Sequence, residues 1–142
     1  MKDTILAING KPGLYKLVSR GNNSLIVETL DDAHRRMPVF ASDRITSLRD
    51  TAMYTDDEDK PLVEILDAFY KKEEGKESSL NYKKASSKQL REYFAEILPD
   101  FDRERVHDSD IKKLLQWYNI LVKNGVTDFL EQETEESEGA EN

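Results

Sequence analysis

The stretch that decides the fold is residues 5–30, ILAINGKPGLYKLVSRGNNSLIVETL. Three short apolar runs are separated by two groups of turn residues, Gly10-Lys11-Pro12-Gly13 and Gly21-Asn22-Asn23. Pro12-Gly13 suits the centre of a type II turn, because proline presets one backbone angle and glycine accepts a positive φ at the next position. Gly21-Asn22-Asn23 tolerates the left-handed backbone of a hairpin loop. The spacing predicts strands over residues 4–9, 14–20 and 24–30, joined as a tight antiparallel meander. Both faces of these strands carry apolar side chains, so the sheet must curl or be covered on both sides.

Downstream, residues 31–36 read as a polar hairpin tip and 37–40 as a short strand, which Pro38 demotes to an edge. Ile45 and Leu48 read as inward-facing residues of a turn-like connection, and 51–55 (Thr-Ala-Met-Tyr-Thr) as the last strand. Five short strands joined by tight turns predict an SH3-like β-barrel, with an open, strongly twisted meander as the alternative. The acidic run Asp56-Asp57-Glu58-Asp59 reads as the start of a helix, with Pro61 in its first turn. Leu62, Ile65, Leu66 and Phe69 recur at helical spacing, so this helix is expected to cover the sheet. The expected first unit is therefore residues 1–74, a small β module with a C-terminal helix.

Residues 73–79 break the pattern with charge, Gly75 and serines, and read as a linker. A helical hairpin is expected over 80–130. Ser86 with Gln89 matches a capping box, Leu90, Tyr93, Phe94, Ile97 and Leu98 form an apolar stripe, and Pro99 stops the helix. The second helix, capped by Asp108 or Ser109, turns Ile111, Leu114, Leu115, Tyr118, Leu121 and Val122 inward and ends at Asn124-Gly125. Residues 126–130 read as a hydrophobic clasp. Residues 131–142 hold six glutamates and no cation, which predicts a disordered acidic tail. The class is thus α+β.

Composition narrows the functions. The chain has 142 residues, 37% hydrophobic and 35% charged, enough for one ordinary domain or two small modules sharing a core. With no cysteine, neither a disulfide nor a thiolate zinc site can form. The apolar run at the N-terminus is too short for a signal peptide, and no run of about 18 apolar residues occurs, so no membrane association is expected and the cytoplasm is the default. The net charge is −8, but residues 1–55 hold eight Lys/Arg against six Asp/Glu, leaving +2 there and −10 in the rest. An acidic protein is a poor whole-surface binder of nucleic acid, whereas a basic first half permits a local site.

The runs GKPGLYKLVSRG, RRMPVF and TAMYT, with the helical SDIKKLLQWYN, resemble an uncharacterised bacterial family with an N-terminal domain of unknown function followed by a helical segment. The resemblance spans residues 4–130. It implies the two-part layout and brings no activity and no catalytic residues.

Enzyme chemistry has little support. There are two histidines, His34 and His107. His107 stands in His-Asp-Ser-Asp, where capping and helix-dipole complementation account for Asp108, Ser109 and Asp110 better than a metal does. Asp100, Asp102 and Glu104 alternate with Arg103 and Arg105, and an oxygen cage for calcium would not carry those cations. No Gly-x-Ser-x-Gly elbow, P-loop or dinucleotide fingerprint occurs. No catalytic residue, metal or cofactor is therefore expected. Lys11, Lys16, Arg20, Arg35, Arg36, Arg44 and Arg49 decorate the sheet, with Tyr15, Phe40 and Tyr54 close in sequence. Single-strand binders combine such a basic surface with aromatic platforms, so RNA or single-stranded nucleic acid is the first expected ligand, with Tyr15 as a stacking residue. The alternative is a protein–protein or homo-oligomeric module on the helical hairpin, anchored by Trp117 and Tyr118.

Overall fold

A computed structural model of the protein describes residues 3–11, 13–40 and 43–130. The expected tail, 131–142, lies outside them. Five strands form one antiparallel sheet: β1 (Ile5–Ile8), β2 (Tyr15–Arg20), β3 (Ser24–Thr29), β4 (Arg36–Phe40) and β5 (Ile45–Ser47). Their order is β4-β3-β2-β1-β5, so the meander runs outward to β4 and the chain then returns to the far side of β1. Gly10 and Gly13 both adopt positive φ, +84° and +77°, in the turn between β1 and β2.

The sheet is an open twisted meander, and the SH3-like closure does not occur. Its edge strands give a physical reason. β4 carries Pro38, which has no N–H to donate, and β5 is three residues long before a 3-10 turn, Leu48–Asp50, takes the chain away. The fifth strand is also not the one the sequence suggested. Residues 45–47 pair with β1, while β6 (Ala52–Met53) forms a separate ribbon with β7 (Lys60–Pro61). Thr55 bridges to Phe101. The acidic run 56–59 is a loop rather than helix.

The sheet nonetheless curls. Leu6, Ile8, Tyr15, Val27 and Val39 share one buried cluster, against which Leu17, Leu25, Met37 and Ile45 pack. Val39 and Ile45 come from opposite edge strands, and a flat sheet would hold them four strand spacings apart, about 19 Å. A bulge at Val18 helps. Leu17 faces Val27 but Ser19 faces Ile26, so β2 has one extra residue there.

Three helices follow: α1 (Leu62–Lys72), α2 (Ser87–Ile97) and α3 (Asp108–Lys123). The Ser86–Gln89 capping box forms with both of its bonds, at 3.2 and 2.9 Å. The cap of α3 lies one residue before the expected Asp108. His107 holds the cap position, and its N–H donates to the Asp110 carboxylate at 2.9 Å. Gly125, at φ +77°, ends α3, and Val126 and Phe129 fold back into the core. The helical stripes join Ile5, Leu14 and Leu48 in one continuous cluster. The sheet and all three helices thus share a core.

Residues 73–79, read as a linker, are pinned to that core. The Tyr118 hydroxyl donates to the Lys76 carbonyl at 2.5 Å, the Ser78 N–H donates to Asn119 Oδ1 at 2.8 Å, and the Tyr93 hydroxyl donates to the Glu73 carboxylate. Glu74 and Gly75 take positive φ to make the turn. Asn124 Nδ2 donates to the Leu30 carbonyl at 3.3 Å and so ties the end of α3 to the end of β3.

Candidate functional site

α3 buries Ile111, Leu114, Leu115, Tyr118 and Leu121. At helical spacing this leaves Lys113, Gln116 and Trp117 on a neighbouring face, and that face is turned toward β1 and the turn after it. Between them is a cleft of about 610 Å³, lined on the sheet side by residues 7–11, Gly13, Arg44 and Thr46, and on the helix side by Lys113, Gln116 and Trp117. Lys11, Arg44 and Lys113 supply three cations, and no carboxylate among the described residues lines the cleft. All three are exposed, and none makes an ion pair among the described residues. Trp117 is half-buried against the core, with Lys113 Nζ 5.6 Å from its ring centroid in a cation–π contact. Asn9, Thr46 and Gln116 add neutral hydrogen-bonding groups.

The other cations named from sequence go elsewhere. Lys16, Glu28 and Arg36 are cross-strand neighbours, and their charges offset one another. Arg36 Nε lies 3.2 Å from the Glu28 carboxylate, and Lys16 Nζ lies 3.9 Å from Asp3. The hydrogen bond from Arg36, with His34 also nearby, holds the Glu28 carboxyl below its ordinary range. Arg35 lines an adjoining cavity of about 470 Å³ together with Asp31, Asp32 and Lys123. Asp31, bonded by the Thr29 hydroxyl and by backbone N–H groups of residues 33 and 34, is held below its usual pKa and stays anionic there. Arg20 lines a separate cavity of about 330 Å³ at the open end of the sheet, beside Phe40 and Ile45.

Two aromatic expectations are corrected. Tyr15 is 6% exposed inside the curled sheet, so its ring offers no stacking face. Tyr118 is fully buried among Phe69 and Phe129 and cannot anchor a partner. Trp117 remains at a surface and lines the same cleft as Lys11 and Arg44. Lys113 was missed. The signal for it was its place four residues before Trp117 on the same helical face, next to a stripe read only for its core.

His34 lies 3.3 Å from the Glu28 carboxylate on an exposed turn, and His107 caps α3. Arg91 bonds Asp108 at 2.9 Å and the Val106 carbonyl at 3.0 Å, joining α2 to the start of α3. Hydrogen bonding, from Ser87 first and then Arg91, lowers the Asp108 pKa. No group of three or more His, Asp or Glu among the described residues is placed to hold a metal. No helix of the described residues is long and apolar enough to cross a membrane.

Residues 3–48 match the family described as a domain of unknown function, DUF5606, and residues 51–121 match a second, DUF6852. The two meet just after β5, so α1 falls with the helical part. No curated protein matches the chain. A protein from Bacteroides vulgatus, solved in solution by NMR as a structural-genomics target, is 61% identical over 91% of each chain, with a TM-score of 0.74. The chain therefore belongs to the uncharacterised family in which these two domains of unknown function stand one after the other.

Proposed function

We propose that the protein is a non-enzymatic cytoplasmic binding protein that takes RNA or another single-stranded nucleic acid in the cleft between β1 and α3. The observation that carries this reading is the convergence of Lys11, Arg44 and Lys113 around Trp117, with no lining carboxylate among the described residues, in a chain of net charge −8. Three cations with no ion-pair partner among the described residues attract phosphates, and a half-exposed indole beside them suits a base. A base arriving at the ring displaces the Lys113 ammonium from it and frees that charge for a phosphate. The neutral groups of Asn9, Thr46 and Gln116 are placed to meet base or sugar edges.

A fluorescence-anisotropy titration with a labelled, mixed-sequence single-stranded RNA at two salt concentrations tests the reading. Binding that weakens as salt rises, and that is lost in Lys113→Glu, is the expected result. Binding unaffected by Lys113→Glu and Arg44→Glu contradicts it.

A second reading, association with a protein or a second copy of the chain, is favoured by one observation. Val18 and Phe40 are 36% and 53% exposed on the sheet. Phe40 pairs with Ser24, and Ile26 with Pro38, on the face of β3 and β4 opposite the inner cluster. Sedimentation equilibrium of wild type and Phe40→Ser separates the two. A monomer in both cases removes self-association.

A further inference from the structure

The charge pattern around the cleft limits how much of a strand it can hold, an inference that rests on the nucleic-acid reading above. The regions adjoining the cleft carry both signs. Beyond Gln116, the adjoining cavities hold Arg35, Lys83 and Lys123 against Asp31, Asp32 and Glu77, three of each sign. Around the sheet, Lys16 and Arg36 are already occupied by Asp3 and Glu28. In the cleft, Lys11, Arg44 and Lys113 have no ion-pair partner among the described residues, and they gather in about 610 Å³. That volume falls in the class of small-ligand pockets, about 300–1,000 Å³, and not of a groove crossing the molecule.

We propose that the cleft is a short-footprint site, holding a base on Trp117 and about three phosphates, one for each cation. A longer strand leaves the site through solvent and gains no further phosphate contact. The same chemistry is offered by a free oligonucleotide and by the end or a looped-out stretch of a long RNA, so the ligand class is a single-stranded segment of about three nucleotides.

The chain has one tryptophan, so its emission reports the site directly. The full-length protein is titrated with unlabelled oligouridylates of 4 and 16 nucleotides over a range of salt, reading Trp117 emission, while anisotropy of a labelled 16-mer reports binding anywhere on the surface. Each phosphate contact to a single strand contributes about 0.7 to the slope of log K against log salt, so three cations predict about −2 at both lengths. The slope, unlike the affinity, does not grow with the number of binding registers. Lys113→Gln, an exposed change, is expected to flatten it by about 0.7 at both lengths. A slope near −2 for the 4-mer that steepens to about −4 or beyond for the 16-mer overturns the short footprint and leaves the binding reading standing. An anisotropy change without a change in Trp117 emission places binding elsewhere and overturns the site. Silence in both signals overturns the footprint and the nucleic-acid reading together.

Discussion

The outer face of the sheet and the cleft beside α3 are both furnished with cations, yet only one of them is basic. On the sheet, Lys16, Glu28 and Arg36 stand in one cross-strand row, so each cation meets a carboxylate one strand away. In the cleft, Lys11 comes from a turn, Arg44 from the residue before β5 and Lys113 from a helix. No strand register couples these three to an acid. Neighbours in a sheet are fixed by pairing, and opposite charges placed there neutralise each other. Cations that meet only through the tertiary fold carry no such partner, and they shape the local field of an otherwise acidic protein.

The contrast can be broken most severely from behind. Trp117 and Tyr118 are adjacent in sequence, but Tyr118 is fully buried and holds the cleft's helical wall against Phe69 and the 73–79 turn. Tyr118→Ala is expected to cost about 3–5 kcal/mol, as large aromatic truncations do, and to lower the midpoint of urea unfolding. Trp117→Ala comes next. Removing a stacking face is expected to cost about 1–3 kcal/mol of binding, with the far-ultraviolet circular dichroism retained. Third, Lys113→Glu is expected to weaken RNA binding about tenfold at low salt, about 1.4 kcal/mol, whereas Arg36→Glu on the sheet changes it less than about twofold. Equal losses in these two variants would erase the distinction between the faces.

A further expectation concerns the alkaline range. Burial, with Glu73 nearby, pushes the Tyr118 hydroxyl up to about 12, and burial and Glu73 push Tyr93 upward as well. A tyrosine whose folded pKa lies above its unfolded value of about 10 contributes stability that is complete below pH 10. That stability is lost as pH rises through 12. Thermal melts are therefore expected to hold steady up to about pH 10 and to fall between about 10 and 12, with late phenolate absorbance. Tyr118→Phe should remove part of the fall, and an unchanged profile would show that Tyr118 is not the group responsible.

Much of the fold is legible where periodicity is long. The stripes of α1, α2 and α3 and the Ser86 capping box follow directly from residue spacing, because one buried face recurs over several turns. The fifth strand was not legible for the opposite reason. Three residues, Ile45–Ser47, are too few to show alternation, whereas 51–55 reads as a short apolar run between threonines but gives only a two-residue ribbon. Tyr15 was misplaced because β2 is apolar on both faces, and only the curl decides which face closes. Residues 73–79 looked like a linker because the partners that pin them, Asn119 and Tyr118, lie some forty residues later. Lys11, Arg44 and Trp117 were each visible as residue types, but their meeting is a tertiary fact.

The most direct test is a two-dimensional amide NMR titration of the full-length protein with an unlabelled single-stranded RNA tetramer. The Trp117 indole N–H and the amides of Gly10, Lys11, Arg44 and Lys113 are expected to shift most, while those of Val18, Arg36 and Phe40 stay in place. Shifts concentrated on the latter group, with Trp117 unmoved, would contradict binding in the cleft.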